Sequence, residues 1–125
     1  MIKKLISLTA ILLIVPTCLC AQEVTGNWAM SGTAPDGQAY NTTISFHADG
    51  TMSVDMGNDG SIDIQANYTH ADGQMSISDI AEQSPCYGKT GVYSISLNGD
   101  QMTVALVDDP CDARRIDRMV LTRKQ

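Results

Sequence analysis

The spacing that comes nearest to a metal site is Asp55-x-Gly57-x-Asp59-Gly60-x-x-Asp63. It fills the first, fifth, sixth and ninth places of an EF-hand-like calcium loop. The third place holds Gly57 where an oxygen ligand belongs, and the twelfth, where a bidentate glutamate closes such a site, holds Ala66. Alternation of apolar and polar residues also runs through Asp63, whereas a loop of that kind is flanked by helices. A hairpin turn is the expected structure, with no metal. His47 and His70 are the only histidines, each at a strand end or turn, and no H-x-H or H-E-x-x-H spacing exists. Neither zinc binding nor a general base paired to a nucleophile is expected. No serine sits in G-x-S-x-G. Asp108-Asp109 is an adjacent carboxylate pair near Arg114 and Arg115, for which solvent-exposed salt bridging is the expected role. Catalytic residues, cofactor and metal are therefore all expected to be none.

Cys86 and Cys111 are the residues with covalent chemistry to do. They are an even pair once Cys18 and Cys20 depart with a leader. An even pair in an exported chain reads as a disulfide. The leader is residues 1–21: a basic start at Lys3 and Lys4, an apolar run from Leu5 to Val15 too short to span a bilayer, then Pro16-Thr17. Cleavage is expected after Ala21, which leaves 22–125 as one domain in the periplasm or outside the cell. A lipoprotein leader ending at Cys18 or Cys20 ranks second, because the residues before each fit a lipobox poorly, and membrane contact is expected only in that case. The remaining chain carries 14 Asp and Glu against six Lys and Arg, a formal −8. Such a chain is repelled by nucleic acid and by anionic membrane. Its cations cluster near the C-terminus but interleave with Asp108, Asp109, Asp112 and Asp117, as on a self-neutralised surface.

The elements that must position these residues are strands. Eight runs are legible: Val24–Ser31, Tyr40–His47, Thr51–Met56, Ser61–His70, Gln74–Ser78, Val92–Leu97, Gln101–Val107 and Asp117–Lys124. Turn signals separate them, among them Asp49-Gly50, Asp72-Gly73 and Asn98-Gly99. Each run alternates. Tyr40, Thr42, Ile44 and Phe46 share one face, as do Met52, Val54 and Met56. Ile62, Ile64, Ala66 and Tyr68 share another, followed by Met75 with Ile77, Tyr93 with Ile95 and Leu97, and Met102 with Val104 and Leu106. One dry face per strand, eight strands and short consecutive connections predict an all-β fold: an eight-stranded antiparallel up-and-down β-barrel, which leaves no exposed edge. The two irregular stretches, Asp79–Gly91 and Asp108–Ile116, hold the two cysteines. A bridge between them is worth on the order of 3 kcal/mol.

Four short motifs follow one another along this pattern: Gly26-x-Trp28, Phe46-x-x-Asp49-Gly50-Thr51, Gly91-x-Tyr93 and Cys111-x-x-Arg114. In that order and spacing the chain resembles the short bacterial lipocalin-like domains, over nearly its whole mature length. The resemblance implies that Trp28, with Gly26 beside it, seals one end of the barrel under an arginine. Arg115, Arg118 and Arg123 are the candidates, and spacing leaves all three open. The chain is shorter than full-length lipocalins and lacks their T-D-Y-type turn and C-terminal helix, so a roomy cavity is not implied. Candidates to line a ligand site are Tyr40, Ile44, Phe46, Met52, Val54, Ile64, Tyr68, Tyr93, Met102 and Val104. A small cavity and a filled core remain open alternatives.

Two functions are expected, both non-enzymatic. In the first, an exported lipocalin-like protein binds a small apolar or amphipathic ligand inside the barrel. In the second, a protein partner, such as a protease or lysozyme whose inhibitor this would be or an envelope assembly component, docks on the N-terminal segment Gln22–Thr25 or on loops 79–91 and 108–116.

Overall fold

The computed structural model describes residues 23–33 and 36–125, with the side chain of Tyr40 left out. The expected leader, its two cysteines and the first part of the Pro35-Asp36-Gly37 turn lie outside the described residues. The strands are β1 Gly26–Thr33, β2 Ala39–Phe46, β3 Thr51–Met56, β4 Ile64–Ala71, β5 Gln74–Asp79, β6 Thr90–Asn98, β7 Gln101–Asp108 and β8 Arg118–Arg123. Each pairs antiparallel with the next, and β8 returns to β1 through Trp28 opposite Arg123 and Ala29 opposite Thr122. The result is a closed eight-stranded up-and-down barrel, all-β, with no helix among the described residues. Closure pairs every strand on both sides, which consumes the backbone donors that an open edge would leave unsatisfied.

Alternation decides what goes inside. Trp28, Ile44, Phe46, Met52, Ala66, Met75, Ile77, Tyr93, Met102, Val104 and Leu121 all point inward and are buried. Intervening residues such as Asn27, Gln65, Asn67, Ser94 and Ser96 are exposed. The core is continuous from Val24 at one end to Ile77 and Tyr93 at the other.

The antiparallel order gives the barrel two unlike ends. One end holds the β2–β3, β4–β5 and β6–β7 turns, together with the chain leading into β1 and out of β8. Those three turns are tight: Gly50 donates to the His47 carbonyl at 3.1 Å, and Gly73 and Gly99 take φ of +73° and +59°. The other end carries the longer connections: 34–38, 57–63, 80–89 and 109–117. Cys86 and Cys111 join the last two of these as a disulfide, with Cα atoms 5.4 Å apart.

Three sequence expectations are corrected. β4 begins at Ile64 rather than Ser61, and Ile62 is half exposed at 49% instead of facing the core. The carboxylates of Asp55 and Asp63 capture the amides of Asp59, Gly60 and Met56, which holds 57–63 as a compact loop before pairing starts. Met56 keeps its inward parity but lies at the barrel rim, 50% exposed. β1 begins at Gly26, two residues after the expected start, because the carbonyls of Glu23, Val24 and Thr25 accept side-chain donors instead of strand amides.

Candidate functional site

At the tight-turn end, Trp28 is fully buried and its indole N–H donates to the Val24 carbonyl at 2.8 Å. The Arg123 guanidinium lies over the ring, 4.3 Å from its centroid. Its Nη1 and Nη2 donate to the carbonyls of Thr25 and Glu23, both at 3.0 Å. Arg123 is also Trp28's partner across the β1–β8 seam, so the strand pairing itself delivers the cation to the aromatic face. Gly26 makes room: a Cβ there would sit 3.0 Å from Arg123 Nη1, on a backbone with φ of +129° that side chains rarely adopt. Of the three candidate arginines, Arg123 takes this position. Arg115 and Arg118 are exposed at the opposite end and do not approach Trp28.

The long-loop end is built around a β-bulge. Val92 pairs with Asp108 and Tyr93 with Leu106, which leaves Val107 without a counterpart on β6. The extra residue shifts parity from Val107 onward. Val107 is 52% exposed, Asp108 points out, and Asp109 points in and is 2% exposed. This corrects the expectation that both aspartates are solvent-exposed. Asp109 fills the space beside Gly91, where a Cβ would sit 2.5 Å from its Oδ2. That close approach is what the glycine of Gly91-x-Tyr93 is for.

Asp109 is fully satisfied. Its Oδ2 accepts from the Tyr93 hydroxyl at 2.5 Å and from Arg114 Nε at 2.8 Å; its Oδ1 accepts from the Cys111 amide at 2.9 Å and from Arg114 Nη2 at 3.0 Å. Arg114 goes on to Asp79, Nη1 to Oδ1 at 3.1 Å, and to the Lys89 carbonyl at 2.9 Å. Asp79 Oδ2 accepts from Ser84 Oγ at 2.5 Å, and Ser84 Oγ in turn accepts from the Cys86 amide at 3.1 Å. One ion network thus ties β5, β6 and β7 to both disulfide-linked loops. Among the described residues no buried side-chain nitrogen or oxygen lacks a partner.

The titration shifts follow from this wiring. Burial pushes the Asp109 carboxyl up, but hydrogen bonds from Arg114, Tyr93 and the Cys111 amide outweigh it and hold the group down at about 2. Burial and the hydrogen bond to Asp109 push the Tyr93 hydroxyl up to about 12. Burial lowers Arg114, and Asp109 and Asp79 more than restore it, so its pKa is raised. These shifts run away from neutrality, opposite to the tuning of a general acid or base.

Beside this network a cavity of about 480 Å³ opens between the long loops. That is within the range of small-ligand sites. Its walls come from every strand but β7, with Met30, Ile44, Met52, Val54, Ile64, Ala66, Ile77 and Met119 as the apolar lining. Thr42, Tyr93, Asp79, Arg114 and Ser84 supply the polar part, and Asp63, Gln65 and Gln83 lie nearer the rim. The structure therefore places five of the ten candidate lining residues at the cavity, Ile44, Met52, Val54, Ile64 and Tyr93; the side chain of Tyr40 lies outside the described ones. Phe46, Tyr68, Met102 and Val104 do not line it. Phe46 and Tyr68 meet edge to face with centroids 5.0 Å apart in the tight-turn half, and Tyr68 donates to the His47 carbonyl.

Asp79, Asp109, Arg114, Met30, Ile77 and Met119 were absent from the sequence-derived site. Asp79 was within reach of the pattern, since it continues the Met75–Ile77 face by one step. Asp109 was not, because a bulge reverses its direction. The Asp55, Asp59 and Asp63 carboxylates do gather, with oxygens within 4.8 Å of one another. Their oxygens accept the backbone amides of Met56, Asp59, Gly60 and Ser61, and the three side chains shape the β3–β4 loop. Around the mouth, Ile62, Ile80, Tyr87 and Ile116 are exposed.

No family model, no curated protein and no solved structure matches this chain, so the barrel and its cavity stand on the geometry alone.

Proposed function

We propose that this barrel is an exported, non-enzymatic binding protein for a small apolar or amphipathic ligand, of lipocalin-like type. The observation that carries the reading is the cavity of about 480 Å³, largely apolar along its walls, with a few polar groups that include Thr42, Asp79, Tyr93 and Arg114. Apolar walls supply affinity by removing ligand surface from water, and a few fixed polar groups set orientation. Four methionines, Met30, Met52, Met56 and Met119, border it, and flexible thioethers adapt to irregular apolar shapes. Fixed polar groups with shifts away from neutrality suit binding better than proton transfer. The Gly26-x-Trp28 resemblance and the disulfide support the family and the exported location. The test is native mass spectrometry of protein purified from its host without refolding. Added mass that disappears on partial denaturation is expected; bare protein from every preparation, with no uptake of any apolar probe, overturns the reading.

A second reading is favoured by the exposed Ile62, Ile80, Tyr87 and Ile116 on the long loops. There the same rim is a protein-docking surface, as on an inhibitor. Capture of a discrete envelope protein that is lost in an Ile80→Ser, Tyr87→Ser variant supports it, and capture unchanged by those substitutions refutes it.

A further inference from the structure

We infer that the cavity selects a cationic amphiphile, an apolar chain ending in an ammonium group, and discriminates against a carboxylate. This rests on the ligand-binding reading above and adds the charge of the ligand to it.

Counting donors and acceptors at the polar side of the cavity leads there. A carboxylate offers about four acceptor positions and a guanidinium five donors. Asp109 has its positions filled by Tyr93, the Cys111 amide and two bonds from Arg114. Arg114 spends four donors on Asp109, Asp79 and the Lys89 carbonyl. Asp79 borders the cavity and accepts only from Arg114 Nη1 and Ser84 Oγ, so about half its capacity is open. What this wall presents to a ligand is mainly acceptor. Among the described residues, the one cation lining the cavity, Arg114, is already held by two carboxylates, with a net charge of −1 for the trio of Asp79, Asp109 and Arg114.

The field around the mouth points the same way. The tight-turn end holds Glu23, Asp49, Asp72 and Asp100 with Arg123 and Lys124. The other ten of the 14 Asp and Glu lie on the long loops and the strand ends beside them, against Lys89, Arg114, Arg115 and Arg118. Of the net eight negative charges on the described residues, six thus lie at the end that holds the opening. A mouth of one sign with low-dielectric walls concentrates ligands of the opposite sign. Asp63, which borders the cavity near the rim, adds a carboxylate on the entry path.

The experiment is isothermal titration of the intact oxidised protein with octylammonium, octanoate and 1-octanol, at low and at high salt. All three share one chain, so the headgroup alone differs. Octylammonium is expected to bind about tenfold tighter than 1-octanol, the scale of one hydrogen bond to a charged group. Octanoate is expected to be weakest, and the preference to shrink with salt. Asp63→Asn, at the exposed rim, should lower the ratio of octylammonium to 1-octanol affinity a few-fold. Asp79→Asn should remove most of the preference. If that variant fails to fold, the probe series on the unaltered protein and on Asp63→Asn still decides. Octanoate binding as tightly as octylammonium, or all three binding alike, overturns the inference and leaves the ligand-binding reading intact. Absence of binding by all three overturns both.

Discussion

At one end of the barrel an arginine lies across an indole; at the other a second arginine lies between two carboxylates. Arg123 keeps its charge partly wet, with its side chain 31% exposed; its partners are a neutral ring, two carbonyls and, at 3.9 Å, the exposed carboxylate of Asp100. Arg114 is 13% exposed and the Asp109 side chain that holds it is fully buried. The first arrangement costs little desolvation and returns little energy. The second buries charge, which is costly unless the ions are paired and hydrogen-bonded, and here every buried polar side-chain atom among the described residues has a partner. The difference matches what each end encloses. The tight-turn end is plugged with apolar volume under a cap, while the long-loop end surrounds a cavity and is not filled with hydrocarbon. Its loops are instead held by a disulfide and an ion network around the rim of the cavity.

The largest effects should come from removing the centre of each end. Arg114→Met leaves Asp79 and Asp109 buried without a cation, and should cost about 3–5 kcal/mol in urea unfolding. Trp28→Ala should cost a similar 3–5 kcal/mol, by cavity formation in a packed plug. The two should separate in binding: Arg114→Met should alter ligand affinity at temperatures where it remains folded, and Trp28→Ala should not. Loss of affinity in the Trp28 variant would merge the two ends into one functional unit. Removing the disulfide with Cys86→Ser and Cys111→Ser should cost about 3 kcal/mol, while Trp28 emission in the folded state stays unchanged because the indole is at the far end.

The next effect is in pH. The Asp109 carboxyl lies below its ordinary 3.8, at about 2, so its contribution is present above pH 3.8 and lost as pH falls toward 2. On the order of 2 kcal/mol should disappear in that window. The Tyr93 hydroxyl lies above its ordinary 10.0, at about 12, so its contribution is present below pH 10.0 and lost as pH rises toward 12. The urea midpoint should fall at both extremes, and Tyr93→Phe should flatten the alkaline side and, by removing one of the hydrogen bonds that hold Asp109 down, lessen the acid loss in part. An unchanged alkaline slope in that variant would remove Tyr93 from the network. The smallest effect should be Arg123→Met, about 1 kcal/mol, since the side chain is 31% exposed and the substitute still covers the ring. A cost equal to that of Arg114→Met would erase the contrast between the ends.

Much of the barrel was legible because strand alternation is a local rule. Met52–Val54–Met56, Tyr93–Ile95–Leu97 and Met102–Val104–Leu106 each announce an inner face without reference to any neighbour. Turn residues did the same for the hairpins at Asp49-Gly50 and Asn98-Gly99. The site was less legible, for two physical reasons. One inserted residue at Val107 turns Asp109 inward, and nothing in the composition around it marks a bulge. In the loop before β4, the carboxylates of Asp55, Asp59 and Asp63 capture the amides of Met56, Asp59, Gly60 and Ser61, so Ile62 fits the pattern and still ends outside. Choosing Arg123 over Arg115 and Arg118 required the seam register, a relation between the first strand and the last.

The amino-acid sequence by itself determined that eight half-dry strands must close on one another, and that two cysteines on irregular loops would be near enough to join. Hydrophobic periodicity and turn chemistry act over a few residues, so they can be read along a line. Which residues meet across the barrel was decided by tertiary structure alone: the arginine on the indole, the aspartate beside Gly91, and the space left unfilled between the long loops. Those depend on register and parity summed around a closed ring, where a single extra residue on one strand re-aims everything after it.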